Sequence, residues 1–156
     1  MQAGAYGFWS RGLAGRSRLR SWRPVGARSY GRAMTTDATS CGTDLVRELW
    51  AWLHVRRWAE AAALLSQDAV VRYPDSGRVL TGPTEFATFN GDYPGRSLVT
   101  VLRTLARPDG DGELVVAEVR VDNDQRGRFW CAGFYRTLDG RIAGADEYWV
   151  GEEQDD

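Results

Sequence analysis

Arg120 and Asp122 stand two residues apart in a run where, with Glu118, they alternate with Val115, Ala117, Val119 and Val121. A strand there carries both polar side chains on one face. Glu147, directly ahead of Tyr148-Trp149, is a second carboxylate set among aromatic residues. A carboxylate withdrawn from water among apolar groups is harder to ionise and can move protons near neutral pH. A guanidinium beside it pulls the pKa back down and orients the acid. Two carboxylates in unlike surroundings can divide the roles of acid and base. The chemistry these residues suit is therefore cofactor-free proton transfer: isomerisation, dehydration, cyclisation or addition of water. Asp122 or Glu147 would be acid or base, and Arg120 would orient and tune it. The same alternation of Glu118, Arg120 and Asp122 with small apolar residues is also that of a half-buried strand with its polar face in water, and both readings stand at this point.

Polar groups to hold a substrate are few. Asn90 follows Phe86 and Phe89 and precedes Tyr93 at helical spacing, so it shares their face and either lines a ligand site or holds a loop. Tyr135 lies on the strand face of Phe129, Cys131 and Gly133, either as a pocket hydroxyl or as a core residue, and Tyr73 ends an earlier apolar run. His54 reads as a favourable group near a helix C-terminus, and Cys131 as a small buried hydrophobe. With a single histidine and two cysteines, Cys41 and Cys131, the chain shows neither a His-based zinc spacing nor a disulfide framework. It has no Gly-rich phosphate loop. No cofactor and no metal are expected.

The elements that position these residues can be read from periodicity and turn chemistry. Thr43 or Asp44 can cap a helix whose stripe is Leu45, Leu49, Trp52 and Leu53, and a second short helix is expected over 58–66. A strand follows at 69–73, ended by Pro74-Asp75-Ser76-Gly77, with a brief return at 78–80. A third helix opens at Gly82-Pro83, with Glu85 in its first turn, and Pro94-Gly95 stops it. Strands near 97–106, 113–122, 127–137 and 141–150 are joined by Asp- and Gly-rich hairpin turns. Helices set apart from antiparallel strands make an α+β domain over 44–150, followed by an acidic tail at 151–156.

Residues 1–33 hold seven arginines and no acid, while 34–156 hold thirteen arginines and twenty-one acids, a charge of −8. So acidic a domain repels phosphate backbones, which argues against nucleic acid as its partner. No stretch is apolar enough for a membrane span, and a cytoplasmic protein is expected. Residues 1–43 read as a disordered Arg-rich extension and linker: upstream sequence ahead of a start at Met34, a transit peptide, or a basic arm.

Three stretches carry a resemblance. Trp58 through Ala62-Ala63-Leu64-Leu65 to Asp68-Ala69-Val70, then Gly82-Pro83-Thr84-Glu85-Phe86, then Leu138-Asp139-Gly140-Arg141-Ile142 leading to Glu147-Tyr148-Trp149, resemble in order and spacing the SnoaL-like, nuclear transport factor 2-like domains. The resemblance covers about residues 44–150. It implies a curved four-to-six-stranded antiparallel sheet wrapped on three N-terminal helices, with a conical cavity between them. It also implies a homodimer through the outer sheet face and a small apolar molecule in the cavity, lined by Tyr73, Phe86, Asn90, Tyr135 and Trp149. Arg120, Asp122 and Glu147 further resemble the Asp-Arg-Asp unit that activates water in limonene epoxide hydrolases. The Tyr and Asn of that family's first strand are represented here by Tyr73 alone. A non-catalytic ligand-binding or interaction domain is the alternative.

Overall fold

The computed structural model describes residues 41–152, so the expectations for residues 1–40 and for the acidic tail from 153 lie outside the described residues. In chain order the elements are α1 (Gly42–His54), α2 (Trp58–Ala63), β1 (Leu65–Tyr73), β2 (Arg78–Thr81), α3 (Gly82–Gly91), β3 (Ser97–Asp109), β4 (Gly112–Asn123), β5 (Gly127–Leu138) and β6 (Arg141–Gly151). The strands form one curved six-stranded sheet in the order β2-β1-β6-β5-β4-β3, and the helices precede its long strands in the chain: an α+β cone fold.

α1 forms because Leu45, Val46, Leu49, Trp50 and Leu53 recur at helical spacing and are all buried. Trp50 takes the place expected of Trp52, which is half-buried on the flank with its indole N–H on Glu48. The first turn is not capped by Thr43 or Asp44. The N–H of Gly42 instead donates to a carboxylate oxygen of Glu113, 2.7 Å away on β4, placing an acid from the sheet at the positive end of the helix.

Two elements differ from their sequence-based expectation. The second helix stops at Ala63 rather than Ser66, because the next residues are recruited by the last strand. Leu64 accepts a hydrogen bond from the N–H of Ile142, and Leu65 pairs with Ile142. That ladder, β1 against β6, is parallel, whereas the other four are antiparallel. A closing strand that returns beside the first overrides local helical pattern.

The core lies between the helices and one face of the sheet. Val115, Ala117, Val119 and Val121 of β4 face it, and Cys131, Gly133 and Tyr135 of β5 face it beside them. The β5–β6 hairpin is set by Asp139 and Gly140, both at positive φ (51° and 70°), as a two-residue turn of that hand requires. None of the described helices is long and apolar enough to cross a membrane.

Candidate functional site

Register decides which carboxylates meet the interior. Gly133 pairs with Glu147, Cys131 with Trp149 and Tyr135 with Ala145, so all six occupy the face turned toward the helices. Glu147 is only 3 % exposed there, and Tyr135 1 %. The Tyr135 hydroxyl donates to Glu147 Oε1 at 2.8 Å, and the Trp149 indole N–H donates to Oε2 at 3.2 Å. No Arg or His forms a salt bridge with Glu147 among the described residues. Burial pushes the Glu147 pKa up, the hydrogen bonds from Tyr135 and Trp149 draw it back in part, and the charge of Asp75 adds a small upward push. The result is a carboxyl group held in place by two donors, harder to ionise than an ordinary glutamate.

Two further residues complete this interior. Tyr73, at the end of β1, packs at a tilt against Phe89 of α3 with centroids 5.3 Å apart, and the guanidinium of Arg78 lies 5.0 Å over the same Phe89 ring. Burial, then the charge of Glu147, push its phenol well above the usual tyrosine range, and the same two causes act on Tyr135. Both phenols stay protonated as donors. Burial first, then Glu147, also raise the Cys131 thiol, which excludes a thiolate nucleophile. Phe86 is buried on the core side of α3. Asn90 is half-buried and spends one amide N–H on the carbonyl of Phe86, 2.9 Å away within its own helix.

Arg120 and Asp122 are not brought to Glu147. Both belong to the opposite parity of β4, paired with Trp130 and Arg128, and face away from the helices. There Asp122 is clasped by two guanidinium groups, Arg128 Nε at 2.5 Å and Arg120 Nε at 3.0 Å. The bond from Arg128 leads in holding its pKa below the usual carboxylate range. The Asp-Arg-acid unit implied by the epoxide hydrolase resemblance is thus not assembled: strand alternation puts two of its members outside and one inside. Asp122→Asn should leave ligand binding and turnover at the parent level, measured beside Glu147→Gln under the same conditions.

Some contributors carry no local sequence signal. Gly133 sits opposite Glu147, and a side chain there would meet the Tyr135 ring: an added Cβ would lie 2.6 Å from its hydroxyl oxygen. An isolated Gly inside an apolar strand is the only hint of such close approach. Trp50 lies 6.0 Å from Trp149, centroid to centroid, and its own indole N–H is buried without an acceptor among the described residues. An unmet buried donor costs about 1–3 kcal/mol. Beside it, a groove of about 360 Å³ runs between α1 and β3, walled by Trp50, Ala51, Val55, Val99 and Val101.

Known proteins place this arrangement in context. The profile of the SnoaL-like domain matches residues 46–145. A candidate ketosteroid isomerase of Kribbella flavida is similar at 28 % identity and a TM-score of 0.61, over 72 % of this chain and 79 % of that one. A protein of Sphaerobacter thermophilus is 24 % identical with a TM-score of 0.57, over 72 % of this chain and 99 % of that one. The LEH-like epoxide hydrolase of Mycobacterium tuberculosis shares the fold at 21 % identity and a TM-score of 0.54, over 68 % of this chain and 80 % of that one. No curated protein matches the sequence. With the profile spanning most of the chain and the same cone recurring in solved structures, the chain belongs to the SnoaL-like domain family.

Proposed function

We propose that the domain binds a small, mostly apolar molecule in the interior of the cone and carries out cofactor-free acid/base chemistry on it, with Glu147 as the proton carrier. The observation that carries this reading is a carboxyl group 3 % exposed, without an ion-pair partner among the described residues, and held by a phenol and an indole. A protein gains no stability from such a group, because burying an unpaired carboxylate is expensive. Burial raises its pKa above the ordinary glutamate range, which favours a carboxyl group that can both give and take a proton. In the ionised form the two donors stabilise the charge and fix the direction of the oxygens. Tyr73, whose hydroxyl Glu147 does not engage, is the phenol left to donate to a substrate oxygen. The similar Kribbella protein, a candidate ketosteroid isomerase, supports isomerisation of a carbonyl compound as the first reaction to try.

The test is solvent-deuterium exchange into small apolar ketones such as cyclohexanone and 2-decalone, catalysed by the parent and by Glu147→Gln. Exchange that survives the substitution, or a Glu147 carboxyl carbon that titrates in the ordinary glutamate range by NMR, would overturn the assignment.

The convex sheet face supports a homodimer in the same proposal. Phe134 and Tyr148 are 39 % and 47 % exposed and pack edge to face with centroids 6.0 Å apart, and Val150 beside them is 64 % exposed. Large aromatic side chains left in water on a sheet face mark an association surface. The parent should run as a dimer in native mass spectrometry, and Tyr148→Glu as a monomer with an unchanged circular dichroism spectrum. A parent monomer at tens of micromolar would sink this part.

A further inference from the structure

Among the described residues two buried side-chain atoms lack a hydrogen-bond partner, the Trp50 indole N–H and the Ser66 hydroxyl oxygen. Ser66 is half-buried at the start of β1, and a hydroxyl can turn its proton toward an acceptor. Trp50 is 4 % exposed, and its N–H is fixed in the plane of the ring and can only donate. Strand register locates it. Val101, Val119, Cys131 and Trp149 make one row across the inner face of β3, β4, β5 and β6. Trp50 borders that row at both ends: it walls the groove beside Val101, and its ring centre lies 6.0 Å from that of Trp149. Because its nitrogen is buried, the N–H does not open onto the groove and serves the interior instead. Ala117, Gly133 and Glu147 make the adjacent row of the same face. Two residues of strand advance about 7 Å, so the unmet donor belongs to the row about 7 Å from that of the carboxyl.

The interior thus offers a ligand two separate polar stations. In the row of Glu147, the carboxyl and the Tyr73 phenol attend to one oxygen. One row on, the Trp50 N–H has no protein acceptor and waits for another. A buried donor without an acceptor is destabilising, and an oxygen brought by a ligand removes that penalty only in the complex. A site built in this way discriminates between ligands with and without the oxygen. We propose that the Trp50 indole N–H is a specificity-determining donor of the Glu147 site, and that the ligand is a small apolar ketone with a second, acceptor oxygen about 7 Å from the first. The proposal rests on the reading of the cone interior as the ligand site.

Two ketones that differ only in that oxygen test it: 2-decalone and 6-methoxy-2-decalone, whose ether oxygen accepts and cannot donate. NMR titration of the ¹⁵N-labelled full chain reads binding, and the Trp50 indole proton, assigned through the backbone of α1, reads the contact. The methoxy ketone should bind at least about tenfold tighter and move that proton downfield, whereas 2-decalone should leave it near its free position. Trp50→Phe should bring the preference below about twofold. Equal affinities in the parent, or a full preference in Trp50→Phe, would overturn the assignment. So would a Trp50 indole proton that is shifted upfield and unmoved by either ketone, which would place the N–H on the face of the Trp149 ring. The parent's own indole signal answers the question even if Trp50→Phe folds poorly. Turnover is read separately. Preferential binding without deuterium exchange would remove the role given to Glu147 and keep that of Trp50, and exchange with equal affinities would do the reverse.

Discussion

Glu147→Gln should produce a protein that has lost proton exchange, by about 10²–10⁴-fold as expected for removal of a general acid or base, and that is nevertheless more stable than its parent at neutral and alkaline pH. The two effects share one cause. Burial raises the Glu147 pKa in the folded protein above that of the unfolded chain. Between those two values the folded state binds more protons than the unfolded state, so stability falls as pH rises through the interval. Below the ordinary glutamate range both states are protonated and the effect vanishes. A neutral amide does not titrate, so the variant lacks this fall.

The amide can also be accommodated where it sits. Its oxygen can accept from the Trp149 indole, and its NH₂ can donate to the Tyr135 oxygen, which accepts as readily as it donates. The gain should be about 1 kcal/mol at pH 8, within the range for stabilising changes at strained functional positions, and a few degrees in Tm. Chemical denaturation from pH 4 to pH 9 reads it: the two proteins should converge at acid pH and separate as pH rises. A variant less stable than the parent at pH 8, or a stability difference without pH dependence, would show Glu147 to be an ordinary satisfied core residue.

The order of elements was legible because Gly, Pro and Asp punctuate it. Pro74-Asp75-Ser76-Gly77, Pro94-Gly95 and Asp139-Gly140 all fall at element ends in the structure. What the site required was less legible, for a reason of parity. In β4 the apolar set at 115, 117, 119 and 121 showed the alternation but left open whether the other face met water or a pocket, and it is the structure that turns Arg120 and Asp122 away from the helices. In β6, Ala145 and Trp149 on one parity and Tyr148 and Val150 on the other are all apolar or aromatic. Only pairing with β5 settles that Glu147 faces in. Long-range partners were hidden altogether. His54 meets the Val99 amide 45 residues away. The buried amide NH₂ of Asn123 donates to the Pro94 carbonyl and the Ser97 hydroxyl, 29 and 26 residues away. Local composition carries no record of such contacts, whereas a helix stripe or a turn is written in adjacent residues.

Gly133→Ala should be among the most damaging single-methyl changes in the sheet, although alanine is otherwise well tolerated in strands. The Tyr135 ring folds back over the Gly133 backbone to reach Glu147 on the neighbouring strand. A Cβ at position 133 would stand 2.6 Å from the hydroxyl oxygen and 2.8 Å from Cζ. Because Tyr135 is 1 % exposed, the ring has no open space to retreat into, and the surrounding core must shift. Overpacking of this kind costs about 1–3 kcal/mol. Displacing the hydroxyl from Glu147 adds about 1–3 kcal/mol for the buried groups left unmet. Tyr135→Phe isolates the second contribution, since it removes the hydrogen bond and keeps the ring. In that background Gly133→Ala has no hydrogen bond left to break, so the double variant should be more stable than the sum of the single changes predicts, by roughly 0.5–3 kcal/mol. Urea denaturation of the four proteins measures the coupling. Strict additivity would mean that Tyr135 is not held against Glu147 by the absence of a side chain at 133. The carboxyl would then be positioned by Trp149 alone, a half-buried residue packed against Trp50.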